Sequence, residues 1–130
     1  MNRIFDVTTT DIPFYDRLLK NGKGYERGNT EVIAKVEYMT PNDYFKQCAE
    51  FNQSTVEEQH KMINEKNMQE LMKVVENEQL PIGFLNYVIK GQEGRHRALL
   101  ARRLGVNTIP VLVIKKNYYR KGSFYVERDR

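Results

Sequence analysis

Apolar and polar positions follow two different periods along this chain, and the changes of period divide it into elements. Residues 31–39 (Glu-Val-Ile-Ala-Lys-Val-Glu-Tyr-Met) are rich in β-branched side chains and partly alternating, the pattern of a strand. Thr40-Pro41 reads as an N-cap with proline at the first helical position, opening a helix that carries Tyr44, Phe45 and Cys48. A second helical region starts near Ser54 and runs to about Gln79, and Ser54-Thr-Val-Glu57 matches the capping-box pattern. Within it Met62, Ile63, Met68, Leu71, Met72 and Val75 recur at helical spacing and are expected to face the core. Asn67-Met-Gln-Glu70 offers a second cap, so the region is one helix or two.

Leu80-Pro-Ile-Gly83 ends that region, and residues 84–90 have the aromatic and β-branched content of a short strand. Gly91-Gln-Glu-Gly94 predicts a turn, residues 95–104 a helix that Gly105 closes, and Ile109-Pro-Val-Leu-Val-Ile114 a buried strand. Spacing places Leu104 on the buried face of that helix. At the other end, a short helix opens at Asp11 with Pro13 in its first turn and Phe14, Leu18 and Leu19 on one face. The Gly/Asn/Lys-rich stretch 21–29 is the clearest loop signal, and residues 118–126 suggest a final hairpin or strand. This mixed order predicts an α+β or α/β domain.

A length of 130 residues suits one domain over 1–130, and 40% hydrophobic with 29% charged residues is the composition of a folded globular chain. The longest apolar run, 109–114, is far below the roughly 18–20 residues that cross a bilayer. Polar residues interrupt the N-terminus before an apolar signal region forms, so the expectation is a cytoplasmic protein without a membrane partner. One cysteine, Cys48, allows no internal disulfide, and with only His60 and His96 a Cys/His zinc site is not expected. Charge is uneven: residues 1–89 hold 10 Lys/Arg against 14 Asp/Glu, and residues 90–130 hold 11 against 3. Such a basic segment favours a polyanionic partner, a solvated tail being the plain alternative for 115–130.

Within it, Gly94-Arg95-His96-Arg97 stands between an expected strand and the first turn of a helix. The first amides of a helix lack intrahelical partners, and its dipole places partial positive charge there. Two arginines stacked at that end therefore need an anion, either a ligand phosphate or a nearby carboxylate such as Glu93. A phosphate bound there makes Arg97 a ligand contact, removable without unfolding the domain.

These residues, with Ala98 to Ala101, Leu104-Gly105 and 109–114, resemble the pattern shared by ParB-like proteins, sulfiredoxins and the related free-serine kinases. The resemblance covers about 21 contiguous residues, and Met39-Thr-Pro-Asn-Asp-Tyr44 resembles a helix-opening segment of phage-borne ParB-like proteins. It implies a small mixed sheet flanked by helices, with nucleotide phosphates gripped around Gly94 by Arg95, His96 and Arg97. ATP or CTP with magnesium is the ligand it implies. Sulfiredoxins carry their nucleophilic cysteine, and partition ParB proteins a glutamate implicated in hydrolysis, where this chain has Arg95. Neither sulfinic-acid reduction nor chromosome partition is therefore expected.

Two classes of function follow. One is an enzyme of phosphoryl transfer or hydrolysis, with Glu93 as base or magnesium ligand, His96 as proton shuttle, and Glu26, Glu31 and Glu37 as alternative carboxylates. The other is a DNA- or RNA-binding module, or a ParB-like nuclease, in which the same turn grips backbone phosphate. Lys115, Lys116, Arg120 and Lys121 would extend its patch, and Tyr118, Tyr119, Phe124 and Tyr125 would offer stacking surfaces.

Overall fold

The computed structural model describes residues 4–26 and 28–118. It is an α+β fold: a mixed sheet, curled into a half-barrel, with helices on both faces. The strands are β1 (Phe5–Thr10), β2 (Lys23–Glu26), β3 (Thr30–Met39), β4 (Leu80–Asn86), β5 (Gly91–Glu93) and β6 (Ile109–Lys116), in the order β1-β4-β6-β3-β2 with β5 also on β4. β4 runs parallel to β1 and β6, and the remaining pairs are antiparallel. Ile109 to Ile114 are buried on both faces of β6, as an apolar run in the middle of a covered sheet requires.

One face carries α2 (Pro41–Phe51) and α5 (Arg95–Arg103), with α3 (Val56–Lys61) and α4 (Glu65–Val74) beside them. The other face carries α1 (Pro13–Asn21), whose Tyr15 stacks on Phe84 with ring centroids 3.8 Å apart. The curl brings β2 back toward β4. Buried Asn86 donates from its side-chain amide to the Tyr15 hydroxyl (3.0 Å) and to the Glu26 carboxylate, bridging strands that are not neighbours in the sheet. Thr40 caps α2 by accepting from the Asp43 amide (3.0 Å), with Pro41 following it, as the sequence predicts, and Tyr44, Phe45 and Cys48 on that helix are fully buried.

Several expectations are corrected. The stretch 21–29 is not all loop: β2 forms within it by pairing with β3. β1 was not anticipated, because only Phe5 and Val7 are apolar in it and its place is set by backbone pairing with β4. The helical region ends at Val74 and is two helices; the capping box uses Thr55 and Glu58 rather than Ser54 and Glu57, and Asn64, not Asn67, caps α4. Met68 is buried, but Met62, at the break that ends α3, is 51% exposed, and Met72 is 42% exposed because it lies off the 68/71/75 face that α4 turns inward. β4 begins at Leu80 despite Pro81, whose missing amide costs nothing in the β6 ladder because that ladder starts only at Gly83. Residues 87–90 form the turn, and 91–93 are strand β5 rather than turn. Leu104 is 44% exposed, since α5 ends before it and the chain swings away through Gly105 at φ +79°. The closing element expected at 118–126 lies almost wholly outside the described residues. No helix among the described residues is long and apolar enough to cross a membrane.

Candidate functional site

β1 and β5 share one edge of β4 and approach each other from opposite ends. β1 climbs that edge as far as Thr10, opposite Ile82, while β5 descends it from Gly91, opposite Asn86, to Glu93, opposite Phe84. Where they meet, Asp11 leaves β1 and Gly94 begins α5, so two carboxylates and a helix N-terminus converge at Gly83. The approach is close: a Cβ on Gly83 would lie 2.2 Å from the Glu93 carbonyl oxygen. Gly94 stands at φ +125°, and a Cβ there would lie 3.2 Å from the Tyr44 hydroxyl and from Gly83. Chain packing thus requires both glycines, whatever binds nearby.

Three successive side chains leave the first turn of α5 toward three elements. Arg95 Nη1 donates to Oε1 of Gln59 on α3 (2.8 Å), and fully buried Gln59 is itself fixed by donating to Ser54 Oγ (2.7 Å). His96 Nε2 accepts from the Asn64 amide (3.0 Å), just ahead of α4. A nitrogen that accepts carries no proton, so this imidazole is neutral with its proton on Nδ1. Partial burial lowers its pKa, and Arg95 and Arg97 lower it further. Arg97, only 8% exposed, donates from Nη1 to the Pro81 carbonyl (2.8 Å), while Nη2 lies 3.1 Å from both Glu93 Oε2 and Asp11 Oδ2. The carboxylate alternative therefore holds for Arg97.

Burial raises the Glu93 carboxyl above its usual value; Arg97 pulls it back, and Asp11 pushes it up again through charge and a hydrogen bond. No side chain among the described residues caps α5 at Gly94. Beside the turn, the Tyr44 hydroxyl is buried with no hydrogen-bond partner among the described residues, the adjacent Cys48 thiol being a weak one. Cys48 is itself buried, donates to Gln92 Oε1 (3.5 Å), and has its thiol pushed up by burial to about 11, so it is inert at neutral pH. Against the turn lies an open cleft of about 420 Å³, with a floor of Leu71, Val74, Leu80 and Pro81 and a rim of Asp11, Asn67, Glu70, His96 and Arg97.

Glu93, Gly94, Arg95, His96 and Arg97 thus come together. Glu26 does not join them: it is held by Asn86 on the α1 face, and Glu31 accepts from Asn117 (3.1 Å). Glu37 lies on β3, opposite Val111. Lys115 and Lys116 end β6, several residues beyond Val111, the partner of Gly83, so they form a separate region. Arg120 and Lys121, with Tyr119, Phe124 and Tyr125, lie outside the described residues. Asp11, Gln59, Asn64 and Tyr44 were missed as site residues, and no local signal marks them: each reaches the turn only through the sheet edge or helix packing. Among the described residues no three His, Cys, Asp or Glu side chains group as a metal set. In comparisons with known proteins the chain matches no family model, no curated protein and no solved structure.

Proposed function

We propose that this chain is a ParB/sulfiredoxin-type domain that binds a phosphate-bearing ligand, first of all a nucleotide, at the first turn of α5. One observation carries the reading: the first turn of α5, a helix N-terminus without a side-chain cap, puts His96 and Arg97 on the rim of a cleft with an apolar floor, while the neighbouring Arg95 turns toward Gln59 of α3. Amides of that turn and the Arg95 guanidinium hold phosphate oxygens, and the His96 Nδ1 proton is a further donor. The volume of about 420 Å³ falls in the range of small-molecule sites, and its floor suits a base or sugar. Arg97 contributes its amide, while its side chain holds the turn in place. The ligand is ATP or CTP brought in with magnesium, a cation that keeps most of its waters and needs only one or two carboxylates, here Asp11 and Glu93. If the site turns over, the reaction is phosphoryl transfer or hydrolysis, with Asp11 facing the cation and Glu93 left to take the proton of the attacking hydroxyl or water. A cytoplasmic setting, where such nucleotides are abundant, belongs to the same reading.

Isothermal titration with ATP, CTP, GTP and UTP in the presence of magnesium tests it. Saturable binding of one nucleotide, weakened roughly tenfold or more in Arg95→Ala, is the expected result, on the scale of a lost charge-assisted hydrogen bond. Unchanged affinity in a folded Arg95→Ala protein, or no nucleotide binding at all, refutes the proposal.

A further inference from the structure

One wall of the cleft beside α5 is a single stripe of α4. Asn67, Glu70, Leu71 and Val74 line the cleft at positions i, i+3, i+4 and i+7, which a helix places on one side. Asn64, just ahead of that helix, is tied to the α5 turn by its amide, which donates to His96 Nε2 (3.0 Å). Helical rise then sets Asn67 about 4.5 Å and Glu70 about 9 Å along α4 from this tie. Neither polar group on the wall is used by the fold. Both residues are exposed, and neither the Asn67 side-chain amide nor the Glu70 carboxylate makes a hydrogen bond or ion pair among the described residues. Lys66 and Lys73 stand at i−4 and i+3 from Glu70, yet neither pairs with it. Asp11, the other carboxylate on the rim, is held by Arg97.

We infer, on the footing of the nucleotide reading of this cleft, that Glu70 reads the base and selects an amino group over a keto oxygen at the end of the ring farthest from the sugar. With phosphates at the first turn of α5, sugar and base run along α4 over Leu71 and Val74. The far end of the ring then comes level with Glu70, and the ring nitrogen before it with Asn67. That far position carries an amino group in adenine and cytosine, and a keto oxygen in guanine, hypoxanthine and uracil. A carboxylate only accepts hydrogen bonds, so it takes an N–H from the amino group and repels the keto oxygen. Asn67 has an amide that both donates and accepts, so it serves the ring nitrogen whether or not that nitrogen is protonated, and discriminates little. The wall thus favours adenine among purines and cytosine among pyrimidines.

Isothermal titration of the full chain with ATP against ITP, and with CTP against UTP, each with magnesium, tests it, because the members of a pair differ only in the amino or keto group and the ring proton beside it. The amino form is expected to bind about tenfold tighter, the scale of one charge-assisted hydrogen bond at an open rim. Glu70→Gln, whose amide donates to a keto oxygen as readily as it accepts from an amino group, should erase the difference within a pair. Its thermal midpoint should match wild type, since Glu70 has no partner to lose. A merely structural Glu70 would instead move the midpoint or shift both members of a pair alike. Nucleotide binding without an amino preference, tighter binding of GTP or UTP, or a preference that survives Glu70→Gln overturns the inference and leaves the α5 site standing. Binding of no nucleotide overturns both.

Discussion

Truncating Arg97 to alanine is the sharpest probe of how the turn is built, because the structure gives this side chain structural work. Its guanidinium donates to the Pro81 carbonyl at 2.8 Å and reaches Glu93 and Asp11 at 3.1 Å each. The Pro81 bond is made by a nearly buried charged donor and is worth about 1.5–3 kcal/mol. Glu93 and Asp11 are 37% and 44% exposed, so each ion pair is screened to about 0.5 kcal/mol. Truncation also leaves the two carboxylates facing each other across the gap. Arg97→Ala should therefore cost about 2–4 kcal/mol, and for a chain of this size lower Tm by roughly 10 °C.

Urea denaturation followed by far-ultraviolet circular dichroism measures this as a fall in the midpoint at constant slope. Arg97→Lys should recover less than half of the loss, since one ammonium cannot reach the Pro81 carbonyl and both carboxylates together. A loss below about 0.5 kcal/mol in Arg97→Ala, or full recovery by lysine, would refute the reasoning and return Arg97 to the role the sequence suggests, a ligand contact dispensable for folding. Any ligand-binding defect of Arg97→Ala is thus mixed with a structural one.

Gly83→Ala should be more damaging than an ordinary overpacking change of about 1–3 kcal/mol, because its Cβ would meet the Glu93 carbonyl at 2.2 Å and neither backbone can yield; a melting point within a few degrees of wild type would contradict the close approach. Leu104→Ala should cost less than about 1 kcal/mol, whereas Leu100→Ala, at a fully buried position, should cost about 2–5, and chemical denaturation of the two variants reads the difference directly. The depressed His96 pKa means that its stability contribution is complete above its usual value near 6.5 and is lost as pH falls below it, so His96→Gln should flatten the fall in stability between neutral and mildly acid pH. Glu93 has the opposite sign: its raised pKa favours the fold at low pH and opposes it as pH rises through that value. Glu93→Gln should therefore be most favourable, relative to wild type, at neutral pH, and an advantage that grows on acidification would count against this.

Much of this fold is legible where a local rule and the tertiary packing agree. Thr40-Pro41 caps a helix because side chain and proline both act within one turn, and β3 and β6 follow from their own apolar content. Legibility fails where backbone pairing decides. β1 and β2 carry little apolar signal and exist because β4 and β3 offer them a ladder. Met62 fits a helical face continued from Met68, but Asn64 accepts from the amides of Lys66 and Asn67 and starts a new helix out of phase with the old one, and within that helix Met72 lies just off the face that buries Met68. At the site, the grouping of Gly94 to Arg97 is local and was readable. Their bonding is not, since Gln59, Asn64 and Asp11 arrive from other elements.

The head-on meeting of β1 and β5 also decides the charge that a ligand encounters. From sequence, Arg95 and Arg97 look alike, two cations at a helix N-terminus that both call for an anion. In the fold they differ. Arg97 lies between two carboxylates that the sheet edge delivers, so it adds no net attraction for an incoming phosphate. Arg95 rests on Gln59, a neutral acceptor, and keeps its charge. With both carboxylates ionised the four groups sum to zero, and with Glu93 protonated they sum to one positive charge. A bare triphosphate is thus poorly matched to the turn at neutral pH, whereas a triphosphate carrying magnesium replaces repulsion from Asp11 and Glu93 with attraction. If the proposed site takes a triphosphate, the same two carboxylates that hold Arg97 in place would favour its metal-bound form over the bare one.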